Sequence, residues 1–230
     1  IWKIADLANN KFRFLVLQEL VHTFCPDRSE LPDLSYKLLE QAAFLKTLFP
    51  DRLHIILGNH ELAEYLGTKI GKSGRWDNEL FLQGVKAEYG EYTNQVMDAY
   101  KEFIYSMPLA VRTPNRVFIS HSTPDRAYLK DFDIKFLRRP REANDRERKG
   151  LAYRLVWGRD YSPQTADLLS HKLESDIFVV AHQPCENGYF VPNKRHIILD
   201  SKDSSGCYLI FPLTKTLTQA ELVSRIRKIH

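Results

Sequence analysis

Long apolar runs are missing from this 230-residue chain, and no segment approaches the ~18 apolar residues that a membrane-spanning helix requires. We predict no signal peptide and no membrane partner. Cysteine is scarce as well: Cys25, Cys185 and Cys207 are an odd number, and their spacing is not that of a metal site. We therefore expect buried thiols in a reducing, cytoplasmic compartment.

A dense basic stripe is also missing. The net charge is only +4, with 33 Lys and Arg against 29 Asp and Glu, which suits anionic substrates but predicts no nucleic-acid partner. The arginines of residues 135–149 alternate with acids, which favours a solvated surface over a binding patch. The chain contains neither a Gly-x-Ser-x-Gly elbow nor a Walker loop, which argues against a serine hydrolase and a P-loop nucleotide site.

Hydrophobic patterning predicts one α/β domain over residues 1–230. Residues 12–17 resemble a buried strand, residues 34–48 a helix and residues 53–57 a second strand, and this βαβ order implies parallel pairing. Further strands are predicted at 116–120, 176–181, 189–191, 196–199 and 207–211, the last three as antiparallel hairpins. Further helices are predicted from 61, over 79–106 with interruptions at Gly84 and Gly90, over 165–173, and after the capping box of Thr218 and Glu221.

Four predicted strands end at a group that can bind a metal ion. Glu19 follows the first strand, Asn59 and His60 follow the second, and His121 and His182 follow two later strands. One histidine in such a place is more often a hydrogen-bonded loop residue, but parallel strands converge their carboxyl ends on one edge of the sheet. Imidazole, carboxylate and amide ligands together suit Mn, Fe or Zn rather than Ca.

Short segments give the chain a family resemblance over residues 12–211. The segment Gly58-Asn-His-Glu61 resembles, without a mismatch, the motif of the calcineurin-like metallophosphoesterase superfamily. Within that superfamily, Ala181-His-Gln183 followed by Glu186-Asn-Gly-Tyr189 is similar to a segment of the phosphoprotein (serine/threonine) phosphatases. Weaker similarities are found at residues 118–122 and 155–157. The resemblance implies a two-sheet β-sandwich flanked by helices, with the site at strand ends between the sheets.

The same resemblance implies a reaction and a set of metal ligands. The reaction would be metal-dependent hydrolysis of phosphomonoesters by a metal-bound hydroxide at a site for two divalent metal ions (Mn, Fe or Zn). Asn59, His121 and His182 would ligate the second metal, and His60 would be the general acid that protonates the leaving alkoxide.

Two further residues are predicted to contact the substrate. Arg159 is predicted to clamp the phosphate, because guanidinium binds two phosphate oxygens at once; its alternative is a surface arginine beside Asp160. Tyr189 is predicted to lie beside the substrate, with a place in the core as its alternative.

The chain departs from the family pattern in two motifs. The Asp-x-His-Gly motif is absent, so we expect the first strand-helix unit to be missing, the domain to be incomplete at its N-terminus and the fragment to lose activity. In the Gly-Asp-x-x-Asp-Arg-Gly motif, Glu19 aligns with the bridging aspartate, and His22 takes the place of the carboxylate that partners the catalytic histidine. Glu61 or Asp27 would then substitute for that carboxylate. A competing alignment uses Asp27-Arg28 as the Asp-Arg pair.

The predicted function is that of a serine/threonine protein phosphatase-like enzyme acting on a phosphorylated protein. Two alternatives remain open at this point. The same site would serve a small phosphoester or a dinucleoside polyphosphate, because substrate choice lies in loops that the motifs do not describe. The missing and altered motifs also fit a catalytically inactive binding protein with the phosphoesterase fold.

Overall fold

The structure is a computed structural model that describes residues 2–22, 31–72, 75–139, 142, 145–201 and 204–229. The chain divides into two compact units, the first ending at Pro108 and the second beginning at Leu109. The single domain of residues 1–230 stays a prediction. Cys25 and the alternative Asp27-Arg28 alignment lie outside the described residues. No helix in the described part of the chain is long and apolar enough to cross a membrane.

The first unit contains the predicted strand–helix–strand segment. Strand β1 (Leu15–Gln18) pairs in parallel with β2 (Leu53–Ile56), and helix α2 (Tyr36–Leu48) connects them. The prediction of a buried strand from residue 12 was wrong, because the strand begins at Leu15 and Phe12 and Phe14 are exposed. β2 is the more buried strand of the pair, and the chain continues from it to Asn59 and His60.

Helices make up most of the rest of the first unit. Its remaining described elements are α1 (Trp2–Ala5), α3 (Asn59–Leu66), β3 (Gly71–Lys72), β4 (Arg75–Trp76), α4 (Asp77–Tyr89), a 3₁₀ turn (Gly90–Tyr92) and α5 (Thr93–Ser106). α3 and α4 pack against α5, and α2 packs against α4. Leu39, Leu62, Phe81 and Ile104 are fully buried in the core.

Gly84 lies inside α4 and does not interrupt it, contrary to the prediction. The glycine serves a close approach instead, because a Cβ atom there would lie 2.0 Å from the backbone oxygen of Asp33. Gly90 does end α4, as predicted, with a φ of +54°. The loop before α2 can therefore lie this close to α4 because glycine has no side chain.

The second unit is built on a five-stranded sheet. Its strands are β5 (Ala110–Arg112), β6 (Val117–Ser120), β7 (Ile177–Val180), β8 (Tyr189–Phe190) and β9 (His196–Leu199), in the order β5-β6-β7-β9-β8. β6, β7 and β9 run parallel, and the two outer strands pair antiparallel. All four residues of β7 are buried, as expected for the central strand of a parallel segment covered on both faces.

A second layer of strands covers one face of this sheet. Strands β10 (Cys207–Leu209) and β11 (Ile226–Lys228) pair antiparallel. Their Leu209 and Ile226 pack against a buried cluster that includes Val117, Val179 and Ile197 of the larger sheet. The mixed α/β fold with helix-flanked sheets is therefore confirmed, and in this unit the two sheets pack face to face.

A 3₁₀ helix (Arg126–Asp131) and four α-helices complete the described part of the second unit: α6 (Ile134–Arg138), α7 (Leu151–Trp157), α8 (Pro163–Lys172) and α9 (Gln219–Val223). α9 opens with the predicted capping box of Thr218 and Glu221. The basic segment 135–149 begins inside α6, which Asp133 caps by accepting from the backbone N–H groups of Lys135 and Phe136. The sequence also gave no sign of β11, and β10 pairs with it instead of with β9.

Candidate functional site

Two histidines meet at the carboxyl end of the sheet in the second unit. β6 and β7 are parallel neighbours with Ile119 opposite Val179, so the residues that follow the two strands lie side by side. His121 Nε2 is 3.2 Å from His182 Nδ1. The backbone N–H of Ala181 also donates to the backbone oxygen of His121, at 3.0 Å, which holds the two strand ends together.

Arg159 contacts this histidine pair. Its Nε donates to His182 Nε2 at 3.1 Å, while the edge of the Trp157 ring lies against the same imidazole. Burial, and after it the positive charge of Arg159, lowers the pKa of His182 to about 4. The imidazole is therefore neutral at pH 7, and a neutral ring is the form that binds a metal ion.

Hydrogen bonds to Asp125 fix the backbone of Arg159. The backbone N–H groups of Arg159 and Asp160 both donate to Asp125 Oδ1, at 2.8 and 2.9 Å. Gly158 before them packs so closely that a Cβ atom would lie 1.9 Å from the backbone oxygen of Thr123. Hydrogen bonds from neighbouring groups, which outweigh its burial, lower the pKa of Asp160 to about 2.

The carboxylate of Asp160 accepts hydrogen bonds from residues other than Arg159. Its described partners are the backbone N–H groups of Arg126 and Ser162 and the hydroxyl of Thr165. The guanidinium of Arg159 contacts His182 instead. Arg159 is exposed, and both the phosphate-clamp role and its alternative stay predictions.

Tyr189 lies on β8 and is 37% exposed. It is thus not a core aromatic, which was the alternative to a place beside the substrate. Its backbone pairs with Leu199 of β9 in the antiparallel part of the sheet. Contact of Tyr189 with a substrate stays a prediction.

In the first unit, the Gly-Asn-His-Glu segment forms the start of α3. Gly58 is the extended N-cap residue, and its backbone oxygen accepts from Leu62 N–H at 3.0 Å. The helix thus begins at Asn59, two residues before the predicted start at Glu61. Asn59 is 3% exposed, and His60 is only partly buried.

His60 lies between an imidazole and a carboxylate. Its Nδ1 is 3.1 Å from His22 Nδ1, and its Nε2 is 3.5 Å from Glu19 Oε1. On the other side of the His22 ring, Nε2 lies 3.1 Å from Glu64 Oε2. The alignment that placed His22 beside the catalytic histidine is thus consistent with the structure.

Glu61 does not take the role of the histidine's carboxylate partner, contrary to our alternative. Its side chain is fully buried, and its Oε1 accepts from the backbone N–H groups of Leu20 and Val21. Burial raises the pKa of Glu61, against the opposing effect of these hydrogen bonds. Glu61 therefore ties α3 to the loop after β1, and the carboxylate behind His22 is Glu64.

Glu64 was not among the predicted site residues, although one feature of the sequence points to it. Residues four apart on a helix lie on the same face, and Glu64 follows His60 at that spacing on α3. Its second partner, Asn78 Nδ2 at 2.8 Å, comes from α4 and has no such local signal.

The backbone at these positions is unusual. Among the described residues, seven that are not glycine have a positive φ, and three of them are Glu19, His22 and His182, at +53°, +64° and +66°. The left-handed conformation costs such residues roughly 1–2 kcal/mol. Conformations of this kind cluster at functional sites, where the surrounding structure holds them in place.

The histidine pair of the second unit suits a divalent transition metal. Two nitrogens bound to one ion at ~2.0–2.1 Å lie roughly 2.9–3.4 Å apart, and the separation here is 3.2 Å. One change is required: His182 Nε2 accepts from Arg159, so the proton of the neutral ring sits on Nδ1. That proton must move to Nε2, with loss of the Arg159 hydrogen bond, before the neutral ring can bind a metal ion through Nδ1. No group of three or more His, Cys, Asp or Glu side chains able to hold a metal occurs in the described ranges.

The sequence of the chain matches a known protein family. The family model described as calcineurin-like phosphoesterase matches residues 10–206. The chain belongs to the calcineurin-like phosphoesterase family. Proteins of this family generally use divalent metals and hydrolyse phosphoesters, which agrees with the donor set at the strand ends.

Two relatives carry the comparison further. A protein of Encephalitozoon cuniculi (strain GB-M1), named as a probable serine/threonine-protein phosphatase, is 27% identical over 160 residues. The match covers 64% of this chain and 33% of that protein, so the chain spans about a third of its relative's length. A solved structure of a protein serine/threonine phosphatase from Saccharomyces cerevisiae, with similarity to human phosphatase PP5, matches with a TM-score of 0.57 and 15% identity. It covers 75% of this chain and 57% of that one, and it bears on the fold alone.

Proposed function

We propose that the protein is a metal-dependent phosphomonoesterase that removes phosphate from serine or threonine side chains of a phosphorylated protein. The observation that carries the proposal is the pair of imidazole nitrogens of His121 and His182, 3.2 Å apart at the ends of adjacent parallel strands. Arg159 contacts His182 and so places a positive charge beside the pair, where it can bind a phosphate dianion.

We propose Glu19, Asn59, His121 and His182 as the metal ligands. Their oxygen and nitrogen donors suit two divalent ions such as Mn, Fe or Zn. When bound, such ions activate water near neutral pH and neutralise negative charge on the phosphoryl oxygens.

The chain's own residues then act on the substrate. Arg159 binds two phosphoryl oxygens through its guanidinium and holds the phosphorus in line with the attacking water. His60 donates its Nε2 proton to the leaving serine or threonine oxygen as the bond from that oxygen to phosphorus breaks. The balanced reaction consumes one water and gives the free alcohol and hydrogen phosphate, and His60 regains its proton from solvent. Tyr189 borders the substrate.

The test is hydrolysis of a chromogenic phosphomonoester by the full-length protein with added Mn. We expect activity that EDTA abolishes and that His60→Asn reduces by about 10²-fold or more. The matched control is His171→Asn, which changes an exposed histidine on α8 and leaves activity unchanged. Activity that persists in EDTA, or equal activity of the His60→Asn variant and the wild type, would refute the proposal.

A substrate panel then tests the class of phosphoester. We expect phosphoserine and phosphothreonine peptides to be hydrolysed with a higher kcat/KM than diadenosine tetraphosphate or small sugar phosphates. The reverse order would assign the site to a small-molecule phosphoesterase. Metal binding with no turnover of any substrate would assign it to a binding protein.

A further inference from the structure

A buried polar chain extends from His60 into the first unit. Glu64 Oε2 lies 3.1 Å from His22 Nε2, and His22 Nδ1 lies 3.1 Å from His60 Nδ1. The side chain of His22 is fully buried, and that of Glu64 is 8% exposed. These distances are in the range of hydrogen bonds between nitrogen and oxygen or nitrogen.

We propose that His22 and Glu64 are a positioning pair for His60, with Glu64 setting the tautomer of His22 and His22 setting that of His60. The inference rests on the proposed function, in which His60 is the general acid. It assigns to two residues the task that the family motif gives to one carboxylate.

The proton positions follow from the donors and acceptors along this chain. A carboxylate only accepts, so His22 Nε2 carries the proton that faces Glu64. A neutral imidazole has one N–H, so His22 Nδ1 is then a lone pair and accepts from Nδ1–H of His60. His60 is thus held by its Nδ1 side, and its Nε2 is the atom that holds the proton for the leaving oxygen.

Both members of the positioning pair are themselves held in place. The backbone N–H of His22 donates to Ser35 Oγ at 2.9 Å, and the edge of the Phe81 ring packs against the imidazole. Glu64 Oε2 also accepts from Asn78 Nδ2 at 2.8 Å. The Oδ1 of Asn78 accepts from Ile70 N–H at 2.9 Å, which fixes the amide so that its NH₂ group faces Glu64.

The ring protons of the metal-free protein test this arrangement directly. We expect a long-range ¹H–¹⁵N spectrum of ¹⁵N-histidine-labelled, full-length protein to show His22 as the Nε2–H tautomer and His60 with a proton on Nδ1. Glu64→Gln is expected to shift the nitrogen signals of both rings, because an amide can also donate. A His60 ring without a proton on Nδ1, or signals that Glu64→Gln does not move, would overturn the proposal.

Kinetics provide the second test, because Asp Oδ1 and His Nδ1 are each two bonds from Cβ. His22→Asp therefore puts a carboxylate oxygen where Nδ1 stands. We expect His22→Ala to lower kcat by about 10²-fold, His22→Asn to lower it similarly, and His22→Asp to recover it to within about tenfold of wild type. KM should change little in all three variants, because none of these groups binds the phosphate.

Glu64→Gln completes the kinetic cycle. We expect it to lower kcat about tenfold in the wild type and to have no effect in the His22→Asp variant, where no imidazole connects residue 64 to His60. The matched control is Glu102→Gln, an exposed glutamate on α5, which should leave kcat unchanged. Equal effects of Glu64→Gln in both backgrounds, or no recovery with His22→Asp when that variant is folded, would contradict the positioning pair.

The two proposals fail in different ways. A wild-type protein that hydrolyses no phosphoester would refute the proposed function, while the ring spectrum would still decide how His22 and Glu64 hold His60. An active wild type whose spectrum lacks the His60 Nδ1 proton would refute the positioning pair alone.

Discussion

His196 gives the folded protein a pH-dependent stability that can be calculated. The residue begins β9 and is fully buried. Its ring stacks on Phe178 with centroids 4.9 Å apart, Thr123 Oγ1 lies 3.1 Å from Nε2, and Asn193 Nδ2 lies 3.0 Å from Nδ1. Asn193 Oδ1 lies 3.3 Å from the same Nδ1, and burial of the ring disfavours an added positive charge.

Burial lowers the pKa of His196 to about 4 from its ordinary value of 6.5, against an opposing effect of the Asp160 charge. The unfolded chain therefore binds a proton that the folded chain does not bind between these two values. Stability is highest above pH 6.5 and is lost as the pH falls toward 4. At ~1.4 kcal/mol per pKa unit, the total loss is about 3 kcal/mol, of which about 2 kcal/mol falls between pH 7 and pH 5.

The assay is urea denaturation of the wild type and of a His196→Gln variant at pH 7, 6 and 5. His182 titrates in the same range, so the quantity that isolates His196 is the difference between the two proteins. The variant will be less stable at pH 7, since it loses the ring stacking, but this deficit should shrink by about 2 kcal/mol at pH 5. A deficit that stays constant over this range would show that burial of His196 does not determine its charge.

Two further predictions concern stability. Gly84→Ala should destabilise the protein by about 1–3 kcal/mol in urea denaturation, because the new Cβ would lie 2.0 Å from the Asp33 oxygen. Helix propensity alone predicts that the same substitution stabilises the protein by about 1 kcal/mol. The sign of the change in unfolding free energy therefore distinguishes the two effects, and Gln83→Ala at an exposed position is the control. Thr218→Ala should cost about 1 kcal/mol by removing the capping-box hydrogen bond that Thr218 Oγ1 accepts from the Glu221 backbone N–H. A loss below about 0.5 kcal/mol, the range of an ordinary surface substitution, would mean that α9 does not depend on its cap.

The features that sequence predicted well are those that depend on neighbouring residues. The apolar segments of β2 and β7 are short and bounded by polar residues, so both strands and the residues after them could be located. Parallel pairing of β1 with β2 followed from the strand–helix–strand order. The expectation that parallel strands converge their carboxyl ends holds for His121 and His182, which follow the neighbouring strands β6 and β7. The capping box gave the start of α9 to the residue.

The features that sequence missed depend on contacts between distant segments. Glu64 reaches His22 across 42 positions, and Glu19 and His22, in the loop after β1 that contacts α3, have left-handed backbone conformations. No periodicity encodes such a turn, because these residues rarely adopt it. Gly84 was misread for a similar reason, since its role lies in the approach of the Asp33 backbone and not in its own helix.

The replacement of a carboxylate by histidine at position 22 has a physical consequence for the rest of the site. A neutral imidazole accepts at one nitrogen and donates at the other, and nothing in the ring itself decides which. A carboxylate in that place would accept without ambiguity, whereas His22 needs an acceptor at its Nε2 to leave a lone pair facing His60. Glu64 supplies that acceptor at 3.1 Å. His22 can therefore accept from His60 because Glu64 holds the proton of His22 on the far nitrogen. For the same reason, Glu64→Gln should lower kcat when residue 22 is histidine and should leave kcat unchanged when residue 22 is aspartate.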